Sequence, residues 1–298
     1  MNVRTSSEAV PTALLEELAA AGLDTHGLRL QVAEALQEDL PGGDVTSEAT
    51  IPADARGTAV FAAREVGVVA GLGIAALVFH EVLGDQVDVT DRVPDGTRVG
   101  TGDVVMRVSG PVRGLLTAER TALNYANHLS GVATATAAWV DALAGTRAQV
   151  LDTRKTLPTF RTLQKYAVRC GGGINHRFSL SDRAMVKDNH VVAAGGVVPA
   201  YDAVRAACPG LRVEVEVTDL DQLRALLEAG CTEILLDNMD TATMVEAVPI
   251  TAGRATLEAS GGLTIERARE VAETGVDFIS VGALTHSVKV FDLGLDLL

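Results

Sequence analysis

Between residues 152 and 190 the chain carries eight cations, Arg154, Lys155, Arg161, Lys165, Arg169, Arg177, Arg183 and Lys187, against three acids, Asp152, Asp182 and Asp188. The segment is therefore +5 (8 − 3) inside a protein whose formal net charge is −14. Three of the chain's four lysines lie in it. A solvated basic helix face is the ordinary use of such a run, but in so acidic a protein the island suits a pocket for a heavily anionic small molecule. Arginine forks grip carboxylates and phosphates with paired N–H groups, and lysine adds a point charge. Gly171-Gly172-Gly173 precede Ile174-Asn175-His176-Arg177, so a tight or mobile glycine turn could deliver His176 and Arg177 to that pocket. A lone histidine is more often structural than functional, and its place in the island is what favours function here.

Polar residues also recur where strands should end. The segments 148–152, 184–187, 212–217, 233–237, 255–259 and 277–281 read as strands with helical stretches between them, such as 219–230 and 264–275. Alternating strands and helices imply parallel β-structure. In a parallel barrel the chemistry sits at the carboxyl ends of the strands. Those ends read Asp152-Thr153-Arg154-Lys155, Lys187-Asp188-Asn189-His190, Glu214 and Glu216, Asp237-Asn238, Glu258-Ala259-Ser260-Gly261-Gly262 and Gly282-Ala283. Glu214 and Glu216 alternate with Val213, Val215 and Val217, which turns both carboxylates to the barrel interior. Buried there they need cations, with Lys187 and Arg154 as the expected neighbours. A structural ion pair suits Glu214, and Glu216, nearer the mouth, is the better functional candidate. With Asp237 it could hold ribose hydroxyls or a phosphate-bound Mg²⁺. Ser260, Gly261 and Gly262, and then Gly282 and Ala283, lie where barrels hold phosphate on backbone N–H groups, although a pair of tight turns would leave the same glycines.

Six such strands over about 140 residues are too few for a closed eightfold barrel. The expected fold is α/β, with an N-terminal α+β sandwich domain at 1–115, an incomplete six-stranded parallel α/β barrel at 116–285, and a tail at 286–298 that returns to the first domain. An open flank exposes strand edges, so a second subunit is expected to cover it. Two helices open the chain, the first capped by Ser6 or Ser7 and the second over 28–38. Segments 57–64, 66–70, 86–90 and 103–110 read as strands around a helix at 72–83. A long helical pattern runs from 116 to 144, with Gly131 as an interruption. Gly71-Leu72-Gly73-Ile74-Ala75-Ala76 matches the GxGxxA dinucleotide turn, with Asp91 some twenty residues on, yet no series of parallel βαβ units surrounds it, so a tight strand-to-helix turn is expected. The charge argues against nucleic acid or an anionic membrane as partner. No secretory pattern or long apolar run is present, and Cys170, Cys208 and Cys231 form no CxxC pair, so a cytoplasmic protein with reduced thiols is expected.

Together these residues resemble the quinolinate phosphoribosyltransferase family. The resemblance runs through EDLPGGDVTS (38–47), LLTAERTALNYANHLSGVATAT (115–136), DTRKTLP (152–158), KYAVRCGGGINHR (165–177), VKDNH (186–190), VEVEV (213–217), LLDNM (235–239), SGG (260–262) and VGALTHS (281–287). It implies a homodimer with a shared active site, in which Arg120 crosses the interface. It places Arg154, His176, Arg177 and Lys187 on quinolinate. It places Lys155, Glu216, Asp237, Ser260, Gly261 and Gly282 on phosphoribosyl pyrophosphate, with Lys155, Glu216 and Asp237 as the catalytic group. Mg²⁺ would arrive mainly on the phosphates, with Glu216 and Asp237 as candidate direct ligands. The implied reaction joins the two substrates and releases CO₂, giving nicotinate mononucleotide. The role of Arg183 stays open. Rival readings are a relative acting on another pyridine acid such as nicotinate, a barrel aldolase using Lys187 as a Schiff-base nucleophile, and a non-catalytic paralogue.

Overall fold

The computed structural model describes residues 10–298; the Ser6 or Ser7 cap expected for the first helix lies outside them. The chain divides into two compact units, Met1–Ala135 with Thr162–Gly171 and Val288–Leu298, and Thr136–Arg161 with Gly172–Ser287. The division falls inside a helix whose sequence pattern shows no break at that point.

The first unit begins with helices α1 (Thr12–Ala20), α2 (Thr25–Asp39) and α3 (Val45–Thr50). The Asp24 and Asp44 carboxylates cap the last two by accepting the His26 and Ser47 N–H groups. Strands β1 (Arg56–Ala63) and β2 (Gly67–Val68), helix α4 (Leu72–Leu83), strands β3 (Asp88–Thr90), β4 (Arg98–Val99) and β5 (Val104–Pro111), and helix α5 (Val112–Ala142) follow. Helix α6 (Arg161–Cys170) belongs almost wholly to this unit, as does the last strand, β12 (Leu293–Leu297). The main sheet is antiparallel in the order β12-β1-β5-β3, and β2 pairs with β4 as a separate ribbon. Gly131 does not interrupt α5. It sits within the helix because a Cβ there would collide with the Lys289 carbonyl.

Helix α4 has eleven buried residues and fills the core of this unit. Its start explains the GxGxxA match. Gly71, at φ 84°, makes the turn, and Asp95 occupies the helix N-terminus. The Gly71 and Leu72 N–H groups donate to Asp95 at 2.8 and 3.1 Å, and the Tyr166 hydroxyl donates to it at 2.6 Å. Burial pushes the Asp95 carboxyl above its usual range. A protein carboxylate thus stands where a dinucleotide fold would hold pyrophosphate, which bears out the reading of a structural turn.

The second unit alternates strand and helix: β6 (Gln149–Leu151), β7 (Ala184–Val186), α7 (Asp188–Ala194), α8 (Val197–Ala207), β8 (Val213–Val217), α9 (Leu220–Glu228), β9 (Glu233–Asp237), α10 (Thr241–Thr251), β10 (Thr256–Ser260), α11 (Ile265–Glu273), β11 (Phe278–Ser280) and α12 (Ala283–His286). The strands form one parallel sheet in the order β6-β11-β10-β9-β8-β7. Each is a neighbour in chain order except that β6 pairs with β11 and not with β7. The sheet is therefore a barrel left open between β6 and β7, as the strand count implies. Val215, Val217, Ile234, Leu236, Leu257, Ala259 and Ile279 are buried in its strands. Ile174 bridges to Leu151 on the outer side of β6, so the triglycine segment leads into a residue that occupies this open edge.

Candidate active site

A cavity of about 280 Å³ opens in the second unit, lined by Thr153, Arg154, Lys155, His176, Arg177, Met185, Lys187, Glu216, Leu235, Glu258, Ser260 and Ser280. These residues follow β6, flank or form β7, β8, β9, β10 and β11, and ride on the segment after the triglycine turn. Seven candidates meet here: Arg154, Lys155, His176, Arg177, Lys187, Glu216 and Ser260. Asp237 ends β9 opposite Ser260 in the register but lies outside the lining, where it accepts from the Asn238 side chain at 2.9 Å. Gly261, Gly262, Gly282 and Ala283 also stand outside the lining, just beyond β10 and β11. A Cβ on Gly282 would meet Lys155 Cδ at 3.1 Å. Arg120 is exposed on α5, in the first unit.

The basic island divides. Arg154, Lys155, Arg177 and Lys187 line the cavity. Arg161 ties down the neighbouring loops, donating to Thr156 at 3.1 Å and to the Phe178 carbonyl at 2.8 Å. Lys165 and Arg169 lie on α6 in the first unit, where Lys165 is fully buried. The helical spacing of the island could not reveal that its middle belongs to the other unit.

The cations in the cavity outnumber its acids, Glu216 and Glu258. Lys187 Nζ donates to Glu216, as the alternation in VEVEV implies. Burial, and then the Arg154 charge beside it, push Arg177 below its ordinary value. The Nε of Arg154 is buried and has no hydrogen-bond partner among the described residues. Two crowded guanidiniums, one with an unmet donor, call for an anion between them.

Beneath the cavity Glu214 does not pair with Arg154 or Lys187. His176 Nε2 approaches it at 2.8 Å, and Arg183 at 3.0 Å. Arg183 also reaches Glu233, and Arg212 meets Glu233 at 2.7 Å. Arg183 thus links the Glu214 carboxylate to the pair at the foot of the barrel. Glu258, buried in mid-β10, stands 3.4 Å from His176 Nε2 and accepts from the Ser280 hydroxyl. Neither Glu258 nor Ser280 was singled out among the candidate site residues. The available signal was the alternation of ATLEA, which places Glu258 on the same barrel face as the glutamates of β8. Burial pushes the Glu214 carboxyl up, and the Glu258 charge adds to this.

The fold and cavity define an open-barrel enzyme whose strand ends are built to hold polyanionic small molecules. The models of the quinolinate phosphoribosyl transferase N-terminal and C-terminal domains match residues 44–130 and 132–296. The chain is 53% identical over 271 residues to the nicotinate-nucleotide pyrophosphorylase [carboxylating] of Mycobacterium leprae, covering 89% of this chain and 95% of that one. It is 41% identical over 297 residues to the chloroplastic protein of the same name from Oryza sativa subsp. japonica, covering 92% and 78%. Among solved structures, NadC from Streptococcus pyogenes superposes with a TM-score of 0.88 at 40% identity, covering 93% and 99%. The chain belongs to the quinolinate phosphoribosyltransferase family.

Proposed function

We propose that the protein transfers a phosphoribosyl group from phosphoribosyl pyrophosphate to quinolinate with loss of CO₂, a step of de novo NAD biosynthesis. The observation that carries this is the cavity in which Arg154, Lys155, Arg177 and Lys187 converge on a volume of about 280 Å³. Quinolinate presents two adjacent carboxylates, which suit the crowded pair Arg154 and Arg177, with Lys187 beside them. Lys155, Ser260 and the glycine turns at Gly261, Gly262, Gly282 and Ala283 suit the phosphates.

The ring nitrogen of quinolinate attacks C1′ as pyrophosphate leaves, taking the C1′–O electron pair. Glu216 and Asp237 stabilise the positive charge that develops on the ribose. The new pyridinium then draws the electrons of the C2–carboxylate bond onto C2, CO₂ departs, and C2 takes up a proton. No covalent enzyme intermediate is needed. Two carboxylates at adjacent strand ends, one already tied to Lys187, fit a Mg²⁺ that arrives on substrate phosphates. Bound there, the ion would neutralise the leaving pyrophosphate.

The assembly belongs to the same proposal: a homodimer in which Arg120 of one copy serves the cavity of the other, acting in the cytoplasm without nucleic acid or membrane. No helix among the described residues is long and apolar enough to cross a membrane. The ion pair of Lys187 with Glu216 disfavours an amine nucleophile, and with it the aldolase reading. The test is to incubate the purified protein with quinolinate, phosphoribosyl pyrophosphate and Mg²⁺. Nicotinate mononucleotide and CO₂ should appear in equal amounts. Product from nicotinate but none from quinolinate would refute the assignment.

A further inference from the structure

The interior of a parallel barrel is ordinarily filled by branched aliphatic side chains. Here the floor of the cavity is ionic: His176 and Glu258 line it, with Glu214, Arg183 and Glu233 below. Replacing buried ion pairs by apolar side chains of similar volume is often neutral or stabilising, so stability alone does not account for this layer. Its geometry gives another reason. His176 Nε2 is 2.8 Å from Glu214 and 3.4 Å from Glu258, while Nδ1 accepts the Arg177 backbone N–H at 2.7 Å. Both ring nitrogens are thus engaged by the protein. The Asp152 carboxylate, fully buried at the end of β6, accepts the His176 N–H at 2.8 Å and the Asn175 side chain at 2.6 Å, which fixes the backbone on the other side. Arg177 lines the cavity alongside His176, and its NH1 donates to the Arg183 carbonyl at 3.1 Å.

We propose that His176 is a positioning residue that acts through Arg177: Glu214 and Glu258 hold its Nε2, its Nδ1 holds the Arg177 backbone N–H, and the Arg177 guanidinium, not the imidazole, meets a carboxylate of the pyridine dicarboxylate. This rests on the substrate reading above. It revises the direct contact with quinolinate that the family resemblance implies for His176.

Charge supports the arrangement. Glu214 and Glu233 meet Arg183, Glu233 also meets Arg212, and Glu258 lies against His176, so the cluster holds three carboxylates and two guanidiniums and one further proton is needed to balance it. Burial lowers the pKa of His176, but the hydrogen bonds and charges of Glu214 and Glu258 outweigh it and push the ring up to about 9. Glu214 is raised as well and competes for the same proton. A second ring proton would point at the Arg177 N–H, so the observed contact keeps Nδ1 as an acceptor and leaves the extra proton with Glu214.

A double-mutant cycle on quinolinate binding, read by calorimetry, tests the proposal. His176→Ala should weaken binding about tenfold in the otherwise native protein, the worth of one well-placed hydrogen bond. In an Arg177→Ala background it should weaken binding less than about twofold, because no guanidinium remains to be aimed. Similar factors in both backgrounds would mean that the imidazole touches the substrate, and would overturn the proposal. If His176→Ala does not fold, Ser280→Ala serves in the same cycle with a smaller effect of the same pattern. A second readout needs no substrate. Nitrogen-15 NMR of the wild type should show the neutral His176 tautomer protonated at Nε2, and Glu258→Gln should disturb that signal. An Nδ1-protonated ring in the wild type would overturn the relay even if quinolinate binds. Wild-type protein that shows the tautomer but binds no quinolinate would instead refute the substrate reading and, with it, the role given to Arg177.

Discussion

Gly261→Ala isolates the phosphate turn after β10. Gly261 has φ 100°, where L side chains are strained, and a Cβ there would stand 2.5 Å from Asn238 Cγ and 3.0 Å from the Asn238 backbone N. Asn238 is itself held at φ 54°, with its N–H on the Ser260 carbonyl at 2.9 Å, so it cannot retreat without loosening the end of β9. Backbone strain of this kind costs about 1–3 kcal/mol. If the turn shifts by about 1 Å to relieve it, positioning losses of roughly 100-fold in rate are ordinary. The expected outcome is a 10- to 100-fold lower kcat/KM for phosphoribosyl pyrophosphate, by the same principle, with the KM for quinolinate nearly unchanged. Gly253→Ala, in the turn before β10 and so at the opposite end of that strand, is the control. Its φ is 72° and no atom lies within 4 Å of the added Cβ, so it should cost only the modest left-handed strain of about 1 kcal/mol. Steady-state kinetics with each substrate varied in turn measures both. If Gly261→Ala keeps native kinetics, or if Gly253→Ala is equally damaging, the turn does not hold phosphate as argued.

Lys155→Ala should abolish turnover while circular dichroism and melting temperature stay native, because Lys155 is exposed and its loss leaves no cavity in the core; appreciable activity in this variant would remove Lys155 from the site. Asp95→Ala orphans two helix N–H groups and the Tyr166 hydroxyl, and urea denaturation should report a loss of about 3 kcal/mol. A loss under 1 kcal/mol would mean that α4 is capped in some other way. Stability should also decline on the alkaline side. The folded cluster of His176, Glu214 and Glu258 holds one proton more than the unfolded chain, because the facing carboxylates shift its release from the 6.5 of a free imidazole to about 9, so this contribution is complete below pH 6.5 and disappears as pH rises through about 9. Denaturant midpoints between those limits should fall more steeply in the wild type than in Glu258→Gln, and parallel slopes would contradict it.

Much of the site was legible because its chemistry is written at strand ends. Six segments of strand pattern, each closed by charged or glycine residues, were enough to place Arg154, Lys187, Glu216 and Ser260 around one mouth, since a parallel barrel brings its carboxyl ends together whatever the details of packing. The two-residue period of VEVEV was enough to turn Glu214 and Glu216 inward. The second helix, expected over 28–38, spans Thr25–Asp39; its boundaries were legible within a few residues, but not the Asp24 cap that sets its start. The short α3, VTSEAT, carries no apolar period to mark it, and only its cap, Asp44, signals a helix start.

What the sequence could not show depends on contacts between residues far apart in the chain. Nothing in the run of eight cations says that Lys165 and Arg169 leave with α6 while Arg154 and Arg177 stay. Nothing near Gly71 says that Asp95 will fill the helix terminus, because that hydrogen bond joins residues 24 positions apart. Arg183 found its role only when β7, β8 and β9 aligned and brought Glu214 and Glu233 within reach. The sequence by itself determined which residue types stand at the strand ends, and so the class of ligand, because local period and turn chemistry are short-range. Only the tertiary structure decided which partner each buried charge takes, and that His176 faces two carboxylates and a backbone N–H, because pairing in a low-dielectric interior is set by distances that the fold alone imposes.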